Sequence, residues 1–153
     1  MAQNSIDIAA PPERVFAVLE DARYYGYWVV GARAIRGWDD DWPAVGSKFH
    51  HTQGIPPLTI KDHSIVEVNE KPKTFQLLAK ARPAGTFRVR LDLHPNATGT
   101  KVVMTETPGD RLTKLVIEPL GHIAIHARNT ASLERLKELA EGRGPSPEEC
   151  ASA

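Results

Sequence analysis

No internal disulfide can form in this chain: its one cysteine, Cys150, lies in a Gly-Pro-Ser-Pro-Glu-Glu-Cys tail, where a buried catalytic thiol is not expected either. It has no excess of either charge. Lysine plus arginine and aspartate plus glutamate number 19 each. With no global field toward nucleic acid or an anionic membrane, an uncharged or amphipathic small molecule is the better-matched partner. No apolar run approaches the length that spans a bilayer, and Met1–Ser5 lacks the basic and then apolar regions of a secretory leader. These features predict a cytoplasmic protein without stable membrane insertion. A glycine-rich phosphate loop, a nucleophile elbow and zinc-type cysteine spacing are all missing from the sequence, so neither a cofactor nor a metal is expected. A homodimer is compatible with the sequence but not indicated by it.

What the chain does have is the composition of an ordinary soluble globular protein, 41% hydrophobic and 25% charged over 153 residues, enough for one domain with a sizeable core. The domain is read as residues 1–142, with 143–153 a flexible tail. Ser5–Ile8 alternates weakly and stops at Pro11-Pro12, where a proline fits the first turn of a helix carrying Val15, Phe16 and Leu19 on one face. Ala22–Val30 places Tyr24, Tyr25, Tyr27 and Trp28 around Gly26 and predicts a second short helix or a tight aromatic elbow. From Gly31 the period is two. Turn-forming separators divide the chain into Ala32–Trp38, Ser47–Gln53, Leu58–Val68, Thr74–Ala81, Thr86–Leu93 and Lys101–Thr107. Links this short make antiparallel hairpins, since a parallel connection needs a longer crossover. Ile60, Asp62, Ser64, Val66 and Val68 are read as sharing one face, as are Val102, Met104 and Glu106, so a carboxylate interrupts each apolar side.

Asp110–Gly142 reads as a long helical run with a break expected at Pro119-Leu120-Gly121. Beyond it His122, Ile125, Asn129, Leu133, Leu136 and Ala140 recur at spacings of three and four, with Ser132 at the edge of the stripe. An isolated helix gains little stability, so this face needs the strands as an apolar partner. Because polar residues fall on that face, the contact is expected to hold a cavity rather than a plain hydrocarbon seam.

The order of elements, together with local motifs, resembles the helix-grip, START-like (SRPBCC) proteins, including their polyketide cyclase/dehydrase group. The motifs are Ala10-Pro11-Pro12-Glu13-Arg14-Val15-Phe16, Trp28-Val29-Val30-Gly31-Ala32, Val66-Glu67-Val68-Asn69-Glu70-Lys71-Pro72, Gly99-Thr100-Lys101-Val102 and His126-Ala127-Arg128-Asn129 with Ser132-Leu133-Glu134-Arg135-Leu136. The resemblance covers roughly nine tenths of the chain. It implies an α+β fold in which a curved antiparallel sheet of about seven strands wraps a long C-terminal helix, with two short helices after the first strand. Proteins of this kind bind lipids, hormones or aromatic polyketides, act as enzymes, or bind other proteins, so the resemblance implies no single reaction.

Glu106 is the first candidate for chemistry, because a carboxylate beside Val102 and Met104 on an inner face is costly unless paired or protonated. It can accept or transfer a proton at a ligand hydroxyl or enol, with Asp62 as a second acidic group; the competing role for each is a pairing with arginine or with backbone donors. His122 and Asn129 share a helical face and can orient a carbonyl or hydroxyl, and His122 can move protons near neutral pH. Tyr24, Trp28, Phe49, Phe75 and Phe87 can form aromatic walls or simply fill the core. Met104, Ile125 and Ser132 complete the expected ligand-binding set, and Arg128 is expected to anchor the helix to a neighbouring acidic group. Glu118, His122 and His126 are spaced by four, but Pro119 and Gly121 intervene and no metal is assigned. The adjacent His50 and His51 point to opposite faces of a strand and are not read as a metal pair. Binding of a small hydrophobic or amphipathic metabolite, lipid-like or polyketide-like, is the leading expectation. A cofactor-independent cyclase or dehydratase using Glu106 or His122 is one alternative, and a chaperone-associated or other protein-binding module is another.

Overall fold

Pro11 and Pro12 end the first strand and begin the first helix, because proline cannot continue a ladder but fits a helix's first turn. In the computed structural model, which describes residues 1–83, 85–116 and 120–152, these are β1 (Ala2–Ile8) and α1 (Pro12–Glu20). α1 buries Val15, Phe16, Val18 and Leu19. The Asp21 carboxylate then accepts a hydrogen bond from the Arg23 backbone N–H at 3.1 Å and opens a 3-10 turn over Ala22–Tyr24. The turn runs directly into α2 (Tyr25–Trp28), so the aromatic segment is both an elbow and a short helix.

Six further strands follow: β2 (Ala32–Trp38), β3 (Lys48–Ile55), β4 (Leu58–Glu70), β5 (Thr74–Ala81), β6 (Gly85–Asn96) and β7 (Gly99–Pro108). They pair antiparallel in one seven-stranded sheet ordered β1-β7-β6-β5-β4-β3-β2, which sets the first strand beside the last. Edge strand β2 carries irregularities between Ala32 and Ala34 and between Ile35 and Gly37, features that interrupt an edge ladder and blunt it against further pairing. At the start of β7, Gly99 has φ of +149°, and a Cβ there would lie 2.2 Å from the Ile8 carbonyl oxygen. Only glycine lets this hairpin close against the end of β1.

The sequence reading places Val68 on the same face as Asp62, Ser64 and Val66. A register shift between Val66 and Val68 corrects it: Val66 pairs with inward Leu77, while Val68 pairs with Gln76. The extra residue of a bulge exchanges the faces beyond it. Asp62, Ser64 and Val66 lie before the shift and are all buried.

Among the described residues, α3 (Arg111–Val116), α4 (Leu120–Ala140) and α5 (Pro147–Ser152) follow the sheet. Pro119, at which the break was expected, lies outside the described residues. α4 packs against β1, α1 and α2. Its C-terminal half buries Asn129, Ser132, Leu133, Leu136, Leu139 and Ala140, whereas His122, Ile123, Ala124, His126 and Ala127 are exposed. The helix therefore grips the core with one half only. Polar ties hold that half in place: the Tyr27 hydroxyl donates to Glu138 Oε2 at 2.6 Å, Arg135 Nη1 donates to the Tyr27 carbonyl at 3.0 Å, and the Val30 N–H donates to Ser132 Oγ at 3.1 Å. The segment read as a flexible tail carries α5, which packs on the 3-10 turn and brings Glu148 to 3.1 Å from Arg23.

The filled part of the core lies beneath α1. Phe16 meets Phe75 edge-on with ring centroids 5.7 Å apart, and Tyr25 stacks obliquely on Phe49 at 4.6 Å while its hydroxyl donates to the Leu19 carbonyl at 2.7 Å. Edge-to-face and tilted packing of this kind adds to the energy of area burial. No helix among the described residues is long and apolar enough to cross a membrane.

Candidate functional site

Space remains where small side chains stand next to one another on the inner face of the sheet. Ser64 of β4 pairs with Ala79 of β5, which in turn pairs with Phe87 of β6. Ser64 and Ala79 are too short to reach α2 and α4. The result is a cavity of about 150 Å³ with apolar walls that include Trp28, Phe49, Leu77, Phe87, Val89 and Met104. Its polar lining includes His51, Ser64, Glu106, Arg128, Asn129 and Ser132.

Glu106 reaches this cavity because its strand alternates: Thr100, Val102, Met104 and Glu106 are all buried, and Glu106 pairs with inward Val89. It is only 3% exposed. Oε2 accepts a hydrogen bond from Arg128 Nη2, which makes an ion pair between β7 and α4. The same Nη2 donates to Asn129 Oδ1 at 3.2 Å, and Arg128 Nε lies 3.4 Å from that oxygen. The acidic group to which Arg128 anchors the helix is thus the site's own carboxylate. A guanidinium can only donate, so Arg128 turns the Asn129 amide oxygen toward itself and its NH₂ away. Glu106 Oε1, Asn129 Nδ2, Trp28 Nε1 and His51 Nδ1 are then buried with no partner among the described residues. Buried polar atoms are paired in most of a native structure, and four exceptions around one cavity are not what random packing leaves.

His51 is 4% exposed, and its Nε2 lies 3.2 Å from Ser64 Oγ. Burial lowers its pKa from 6.5 to about 4; Asp62 opposes the shift, and Arg36, His63 and His50 add to it. The ring is neutral at physiological pH. Because the folded-state pKa is depressed, the unfolded chain binds the proton more tightly, so stability is full above about 6.5 and falls as pH drops toward 4. Chemical denaturation across this range should show unfolding taking up about one proton, and His51→Asn should flatten that slope. An unchanged slope in the variant would assign the dependence to another group.

Of the residues anticipated from sequence, Trp28, Phe49, Met104, Glu106, Asn129 and Ser132 come together around the cavity. Five others are placed elsewhere. The Asp62 carboxylate is buried but taken up by Arg82, whose backbone N–H and Nε donate to it at 3.1 and 3.2 Å. It ties β4 to the end of β5 rather than facing a ligand. Tyr24 sits in the 3-10 turn, packed against the core from outside the cavity. His122 is exposed on the N-terminal half of α4, and with Ile125 it lines a second depression that shares Phe87 and Glu106 with the cavity. Phe75 belongs to the filled core. Glu118, first of the four-spaced set with His122 and His126, lies outside the described residues.

His51 was the residue that the sequence reading passed over. The alternation that separates His50 from His51 also requires one of the two to point inward, and the β3 register with Phe49 inside selects His51.

Solved structures match this fold over nearly its whole length. A protein from Mesorhizobium loti is 19% identical with a TM-score of 0.69, over 94% of this chain and 98% of its own. A protein of unknown function from Staphylococcus aureus is 12% identical with a TM-score of 0.71, over 92% of this chain and 93% of its own. An AHSA1-like protein from Aeromonas hydrophila is 17% identical with a TM-score of 0.65, over 92% and 91% of the two chains. At these identities the likeness is one of fold, that of the α+β helix-grip proteins. Among curated proteins none matches the chain. The sequence profile described as polyketide cyclase / dehydrase and lipid transport matches residues 2–141, so the chain belongs to that family.

Proposed function

We propose that the protein binds a small hydrophobic or amphipathic molecule in the cavity between the sheet, α2 and α4. The observation that carries this reading is the coincidence of apolar walls with four buried polar atoms that no described residue satisfies. Desolvation against Trp28, Phe49, Leu77 and Met104 supplies affinity, and the unpaired polar atoms set orientation. The family's description, which includes lipid transport, supports the same class of ligand. Native mass spectrometry of the protein as purified should find a small molecule that dissociates on denaturation. Its absence, together with no binding across a panel of apolar compounds, would end this reading.

Catalysis on the bound molecule is the second reading. The family description includes cyclases and dehydrases, and Glu106 lines the cavity with one carboxylate oxygen unpaired among the described residues, in a position held by Arg128. Such a group is placed to accept a proton from a bound hydroxyl or enol. Turnover lost in Glu106→Gln with binding retained would favour catalysis over carriage. Large apolar side chains exposed among the described residues include Trp38, Val45, Leu58 and Ile123, which lie on separate elements.

A further inference from the structure

Resting on the cavity-binding reading, we infer that the cavity encloses about one neutral ring of its ligand, carrying a hydrogen-bond donor for Glu106 close to an acceptor for Asn129 and Trp28, and that it rejects carboxylates. Three observations carry this. Size is the first: the largely apolar cavity, open on one side, holds about 150 Å³, the volume in which an engineered protein cavity holds benzene. A fused-ring or long-chain molecule would have to extend beyond that volume through the open side.

Polarity is the second. Glu106 Oε2 and Asn129 Oδ1 bond to one and the same Arg128 nitrogen, so the two groups are neighbours. Of their remaining atoms, Glu106 Oε1 is an acceptor and Asn129 Nδ2 a donor, Trp28 Nε1 is a second donor, and all three are buried without a partner among the described residues. A hydroxyl or N–H near a carbonyl satisfies such a set, whereas a plain hydrocarbon leaves all of it unpaired.

Charge is the third. Arg128 is already balanced by Glu106, so the pair offers no net positive charge to an incoming anion. His51 is buried beside the cavity and neutral at physiological pH. Lys80 borders the cavity, but its strand neighbours Leu77, Ala79 and Ala81 occupy the alternating inward positions. A carboxylate would therefore meet Glu106 with no uncommitted cation among the described lining residues. This is like-charge repulsion in a low-dielectric site.

A matched series of one-ring probes tests the idea, read by quenching of tryptophan fluorescence with Trp28→Phe as the control for signal from Trp38 and Trp42. The probes are ethylbenzene, 3-hydroxyacetophenone, its methyl ether, and 3-hydroxybenzoate. 3-Hydroxyacetophenone should bind about tenfold or more tighter than its methyl ether, because a hydrogen bond to a charged group is lost in the ether. 3-Hydroxybenzoate should bind weaker still. In Glu106→Gln the preference for hydroxyl over ether should shrink toward unity. If ethylbenzene binds but the ether or the benzoate equals the hydroxyketone, the inference is overturned and the cavity reading survives. If none of the four binds, both are overturned. The comparison among probes is made on the natural protein, so it stands even where a variant folds poorly.

Discussion

Ala79→Leu should abolish ligand binding while leaving the protein as stable as before. Ala79 stands between Ser64 and Phe87 on the inner face and lines the cavity. A leucine side chain there projects into unoccupied space rather than into packed atoms. Enlarging a residue in a filled core costs about 1–3 kcal/mol; here the added carbons gain contacts instead, and the melting temperature should hold or rise. Affinity for ethylbenzene, and for any compound that copurifies, should fall about 100-fold or more, equivalent to about 2.7 kcal/mol. The two measurements are a fluorescence titration and a thermal melt on the same preparation. Undiminished binding in a well-folded Ala79→Leu protein would put the ligand site outside this cavity.

Arg128→Ala should be the most damaging change at the site, out of proportion to the exposure of the residue it removes. The Arg128 side chain is 36% exposed, but its partner Glu106 is only 3% exposed and keeps an unpaired Oε1. Removing the arginine leaves a buried carboxylate with no cation, and Asn129 loses the donor that orients its amide. Stranding one member of a buried pair costs about 3–5 kcal/mol, and partial exposure of the guanidinium places this case near 3. For a domain of this size that is a fall in melting temperature of about 6–12 °C. The cost is a property of the pair, which a double-mutant cycle can isolate. In a Glu106→Gln background, Arg128→Ala should cost less than about 1 kcal/mol. Equal costs in the two backgrounds would mean that Arg128 stabilises α4 by some other route.

Most of the architecture was legible because it rests on local patterns. Alternation marked the strands of the meander, short proline- and glycine-rich links made them antiparallel, and Pro11-Pro12 marked where β1 gives way to α1. Alternation also sent Met104 and Glu106 inward together, since β7 runs without a bulge along its pairing with β6. The same rule failed at Val68, where a bulge adds one residue that no local signal announces. On α4 the helical period put His122, Ile125 and Asn129 on one stripe, but periodicity does not say how closely each turn of a helix packs on the sheet. Asn129 is covered and His122 is not.

By itself, then, the sequence determined which side chains share a face: period and turn chemistry act over a few residues and survive whatever surrounds them. Tertiary structure alone decided which of the inward polar groups remain free. Asp62 is neutralised by Arg82, twenty residues further along the chain, while Glu106 is met by Arg128 at only one oxygen. His51 became a buried neutral ring beside Ser64 through strand pairing. The difference between a salt bridge that closes a fold and one that lines a site depends on which strands and helices meet at a point, and such meetings are set by long-range packing.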